Sequence, residues 1–179
     1  MDARARGNHL DCAKNLVLAK SLVEAQKTLL RHIGPQAVIS THLSDLEDLL
    51  LMFDVPPAGW ELGGQIYLDY LSLVFERRGT ERRRRGSGSR RECVVRLLRA
   101  LPSMEARSFE QRVAQSEMAK VVANIIVSSS EMVCLLYPQG TNFQSREVGG
   151  VMRLPLLEGD ALRITRKVSE GMLDEILAG

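Results

Sequence analysis

The stretch Arg77–Arg91 reads Arg-Arg-Gly-Thr-Glu-Arg-Arg-Arg-Arg-Gly-Ser-Gly-Ser-Arg-Arg and holds eight of the chain's 24 Lys and Arg residues. All eight are arginine: Arg77, Arg78, Arg82, Arg83, Arg84, Arg85, Arg90 and Arg91. The guanidinium group is a planar fork of N–H donors that matches the oxygens of a phosphate or a carboxylate. A run of them supplies sequence-independent, salt-sensitive affinity for nucleic acid. Arginine also stacks on bases, which favours nucleic acid over other partners; RNA is the favoured target, with DNA left open. The same composition suits an acidic protein surface or an import receptor. Glycine and serine leave the segment adaptable, ready to order on binding. Ser87 and Ser89 follow the four consecutive arginines. A phosphate on either removes about 1.5–2 units of positive charge and weakens phosphate binding. The eight arginines are therefore the candidate nucleic-acid-binding set, and Ser87 and Ser89 the candidate regulatory sites.

The net charge of +2 hides how local this basicity is. Residues 1–76 carry six basic and ten acidic side chains, residues 77–92 eight and two, and residues 93–179 ten of each. Outside the run the chain is net −4, an acidic body with one basic device, so any polyanion contact is confined to it.

Other chemistry is sparse. There is no phosphate-binding loop, dinucleotide fingerprint or nucleophile elbow. No catalytic residue is assigned, and the chain reads as non-enzymatic. His9 and Cys12 stand at i, i+3 without a second pair of ligands, so no metal and no cofactor is expected. His32 reads as a cation at a helix C-terminus and His42 as a surface residue. Three widely spaced cysteines, Cys12, Cys93 and Cys134, make no disulfide framework. An intracellular setting is expected, with cytoplasm, nucleus and organelle left open. The N-terminus lacks the apolar core of a signal peptide, and no membrane span is expected.

The elements that must hold the run follow from hydrophobic spacing. Cys12, Leu16, Ala19, Val23, Gln26, Leu30 and Ile33 recur at intervals of four and three, with only Gln26 polar. That predicts one helix capped by Asn8 and stopped at Gly34-Pro35. Ile39, Leu43, Leu46, Leu50 and Phe53 predict a second helix, starting near Ser44 with a Ser44–Glu47 capping box. The pair reads as a helical hairpin joined at Gly34-Pro35, with Asp45, Glu47 and Asp48 on its solvated face. Trp60, the single tryptophan, reads as a core plug. Ser103 is expected to cap a long helix running to about Leu136. Residues 151–157 and 161–168 read as a β-hairpin about Glu158-Gly159-Asp160. Ser169 is expected to cap a short last helix.

The expected fold is a single mainly α domain over 1–179: a helical hairpin, a long helix and a small C-terminal β-hairpin, with 77–91 a flexible basic loop. Residues 65–76 and 92–101 fit helix and strand alike, and as strands they make the fold α+β instead. The expected function is a structural or assembly protein contacting RNA phosphates through the arginine loop, within a homo- or hetero-oligomeric assembly. The alternative is an adaptor or scaffold subunit that binds partner proteins through leucine-rich helical faces.

Overall fold

The computed structural model describes residues 3–77, 89–128 and 154–167, and only the backbone at 3–7, 76 and 77. All regular structure among them is helical. Helix α1 is Ala3–Leu18, α2 is Leu22–Thr28 and α3 is Gly34–Ser40, with a π turn, Leu29–Ile33, joining the last two. Then come α4, Ser44–Leu51, α5, Gly64–Arg77, α6, Arg90–Ala100, α7, Phe109–Val127, and α8 over 158–167.

The expected first helix is in fact two. Lys20 adopts φ 59°, in the left-handed region. The Ser21 N–H donates to the Leu16 carbonyl and the Lys20 N–H to the Val17 carbonyl, both at 2.9 Å. Those two bonds are a Schellman ending, normally built on glycine, and lysine at that position hides it from the sequence. Helix α1 then folds back along α2 and the π turn, so the hairpin corner lies at Lys20. Asn8 is interior to α1, not its cap.

Gly34-Pro35 does not stop the chain either. Gly34 and Pro35 are the first two residues of α3, and the Gly34 N–H still donates to the Leu29 carbonyl of the turn before it. The π turn before them opens the hydrogen-bond ladder and lets the helix carry through. Gly34 is required there by its neighbour: a Cβ would collide with the buried Tyr67 ring. Helix α3 ends instead at Thr41, φ 60°.

Helix α4 begins at Ser44 as expected, but its N-cap is Leu43 and no side chain caps it. Leu46, Leu49 and Leu50 face inward. Residues 65–76 and 92–101 resolve as helix, within α5 and α6 and the turn that follows, Leu101–Ser103. Trp60 is buried against Phe53, their ring centroids 4.9 Å apart. Its neighbour Gly59 has φ 76°, and Gln26 donates to the Gly59 carbonyl at 3.2 Å. The one polar residue of the first stripe is thus a buried strut to this loop, not a flaw in the pattern.

Helix α7 is the centre of the fold. It packs chiefly on α3, with Ala114, Met118, Ala119, Val122, Ala123 and Ile126 all out of contact with solvent. It starts after Ser108 rather than Ser103. Ser108 Oγ accepts from the Gln111 N–H at 3.1 Å, and Gln111 Oε1 accepts from the Ser108 N–H at 3.0 Å, a full capping box. Gln111 Nε2 also donates to the Leu30 carbonyl in the π turn at 3.2 Å, satisfying a group that the irregular ladder leaves over.

The C-terminal β-hairpin is not formed. Residues 161–167 are helical, in α8. Glu158-Gly159-Asp160, read as a turn, is its first turn, where the macrodipole favours two carboxylates. Apolar alternation over so short a run is weak against one deep anchor: Ile164 is buried while Leu162 and Thr165 are exposed. Ser116 Oγ accepts from the Leu157 N–H at 3.1 Å, and Lys120 pairs with Asp160 at 2.9 Å, fastening α8 to α7. Residues 151–153, the expected last helix from Ser169, and the continuation of α7 past Ser128 lie outside the described residues.

Candidate interaction surface at the α5–α6 hairpin

The arginine run connects α5 to α6. Residues Glu61, Leu62, Gln65 and Ile66, before and within the first turn of α5, share a groove of about 490 Å³ with Leu97, Arg99 and Ala100 at the end of α6. The two helices are therefore antiparallel, and the run joins them at the opposite end of the pair. The basic segment is shorter than expected, because both edges are helical. Arg77 is the last residue of α5, and Arg90 and Arg91 are exposed in the first turn of α6. Arg78, Arg82, Arg83, Arg84, Arg85 and Ser87 lie outside the described residues.

Ser89 is the N-cap of α6. Its Oγ accepts from the Glu92 N–H at 3.3 Å, and Glu92 Oε2 accepts from the Ser89 N–H at 2.8 Å. The candidate regulatory serine is thus also the residue that starts the helix carrying Arg90 and Arg91.

What holds the hairpin shut was missed by the sequence reading. Asp69 on α5 is 2% exposed, and Arg96 on α6 reaches it with Nε and Nη2, each at 2.8 Å from a carboxylate oxygen. Gln65 adds a third bond at 2.9 Å. The hydrogen bonds to Asp69 raise the Arg96 pKa still further above the ordinary range, against the opposing pull of burial. With both its oxygens engaged, this carboxylate is a bolt between helices rather than an acid or base. The signal lay in Arg96, set among the apolar Val94, Val95, Leu97 and Leu98 of α6, but its partner is 27 residues away and invisible to local spacing.

Elsewhere the described residues present an incomplete chemistry. No three His, Cys, Asp or Glu side chains among them converge on a metal-sized site, and no helix among them is long and apolar enough to cross a membrane. Neither Cys12, exposed, nor Cys93, buried, is in a disulfide. His42 is exposed, as expected. His32 is no free helix-end cation: its ring stacks on that of His9. Several large apolar side chains stand in solvent, Leu18, Val23, Leu51, Val55 and Leu62 among them. Lys20 and Asp54, 3.8 Å apart, bring the corner between α1 and α2 near the end of α4.

No family model matches this chain. It is similar along 97% of its length to a nuclear pore complex protein, Nup98-Nup96 of Drosophila melanogaster, at 26% identity over 186 aligned residues that make up 9% of that protein. It is also similar to nucleoporin nup189 of Schizosaccharomyces pombe, at 41% identity over 75 residues, 40% of this chain and 4% of that protein. The chain spans less than a tenth of the length of these curated relatives.

Proposed function

We propose that this chain is a non-enzymatic helical scaffold segment of a nuclear-pore-like assembly, inside the cell, working by contact between its helical faces and partner proteins. The observation that carries this reading is the similarity to a nuclear pore complex protein along 97% of the chain. The fold agrees in kind: stacked helices around a central α7, with large apolar side chains such as Leu18, Val23 and Leu51 left in solvent on α1, α2 and α4. Exposed apolar surface is what contact with other proteins uses. The test is to tag, at its own locus, the protein that carries this chain and to image it. A rim of signal at the nuclear envelope is expected, and an even cytoplasmic signal overturns the proposal.

A second reading rests on the eight arginines of 77–91, five between α5 and α6 and three within those helices: the run holds RNA phosphates within the same assembly, and phosphate on Ser87 or Ser89 weakens that hold. Its flanking residues Arg77 and Arg90 belong to two helices that the Asp69–Arg96 pair fastens together. Binding of a generic single-stranded RNA is then expected to fall with salt at roughly 0.7 decades per decade for each phosphate contacted. Replacing Arg82–Arg85 with Ser removes up to four such contacts and flattens that slope. An unchanged affinity and slope leave the run with protein partners alone.

A further inference from the structure

The rings of His9, on α1, and His32, in the π turn, lie 4.1 Å apart between centroids and within 5° of parallel. This contact lies near the far end of the α1 hairpin, about as many residues before the Lys20 corner as after it. Each ring is half-buried. Parallel rings do not share a metal ion, because the nitrogen lone pairs lie in the ring planes and cannot converge. What the stack can do is respond to protons: two neutral rings, or one neutral and one charged, stack favourably, whereas two imidazolium rings repel.

We propose that the His9–His32 stack is an acid-released latch holding α1 against the π turn. The charges around it set the direction. Burial first, then His9 and Arg31, push the His32 pKa below the usual 6.5, while Glu110 in the first turn of α7 pulls it back up. Helix α3 carries no charged residue, and on α2 Glu24 and Lys27 pair with each other at 2.6 Å. A histidine held low in the docked state binds protons more readily once released. Docking is therefore fully in force above the unfolded value of 6.5 and is lost as the pH falls from there through the lower docked value. The irregular π turn beneath the latch is held from the other side by Gln111, which does not titrate, so acid acts on α1 selectively.

The test is amide hydrogen exchange on the full 179-residue chain, at about pH 7.5 and about pH 5.5, on either side of the histidine range and corrected for intrinsic rates. Protection of the α1 amides is expected to fall severalfold in acid, while α7 amides hold theirs. His32→Phe keeps a flat stacking ring but takes up no proton, and it is expected to abolish the acid loss. His9→Phe removes the His9 repulsion and leaves His32 buried, so it is expected to lessen the loss without abolishing it. The proposal is overturned if α1 protection in the parent does not change with pH, or if both variants lose it in acid as the parent does.

Discussion

The clearest single-residue dependence in this molecule is that of Asp69 on Arg96. The carboxylate is out of water and bonded by one guanidinium and one amide. Removing only the cation leaves a buried charge without its partner, which costs far more than the pair itself contributes. Arg96→Ala is expected to lower stability by about 2–4 kcal/mol, the upper end trimmed because the guanidinium is 40% exposed. Replacing both at once, Asp69→Leu with Arg96→Met, is expected to recover most of that loss. Urea midpoints of the two variants measure it, and equal losses in both would deny the bolt its role. Gln26, Gln111 and Gln115 do related work without charge: each is buried and donates to a backbone carbonyl of another segment. None of these roles was legible in the sequence, where a glutamine on an apolar stripe looks like an interruption. The partner carbonyl belongs to a distant loop, and only the fold brings it near.

At the scale of the element, helices were legible where a continuous apolar face met a clear cap, and boundaries were not. Of the second stripe, Leu43, Leu46 and Leu50 are core, Phe53 is half-buried, and Ile39 falls in α3 and stands exposed. The first stripe was off by one position in α1, where Ala13 and Val17 are buried and Cys12 and Ala19 exposed, but it met the core at Gln26 and Ile33. What broke it in two is Lys20, since a lysine in the left-handed conformation ends a helix without the glycine that announces such an ending. That conformation costs a lysine about 1 kcal/mol and a glycine almost nothing. Lys20→Gly is accordingly expected to stabilise the chain by up to about 1 kcal/mol, or about 2–4 °C in melting temperature for a domain this size. The exposed Lys20–Asp54 pair lost in the exchange contributes little. A lower melting temperature would show the corner to depend on the lysine side chain after all.

For the whole molecule, the mainly helical class was legible from few aromatics and many leucines, while the tail was not. Helix α8 holds to the body by one deep side chain, Ile164, plus Lys120 and Ser116 on α7. The carboxylates of Glu117 and Asp160 hydrogen-bond Lys120 and push its pKa up, so these contacts persist across the neutral range. A satellite of this kind detaches before the core melts. Ile164→Asp is expected to speed proteolytic cleavage within 154–167 by roughly tenfold or more, while α1 to α7 keep their helical circular dichroism. Unchanged cleavage would mean that α8 is held by more than this one anchor. The π turn at Leu29–Ile33 has a different consequence, for chain length. A π turn accommodates a residue that an α-helix has no room for, so a shorter version of this protein is conceivable in which one residue of that turn is missing and α2 runs straight into α3. Pro35 stands in the way, because in an unbroken α-helix its ring meets the carbonyl four residues back. The proline thus protects the extra residue: a chain that drops the residue must also drop Pro35.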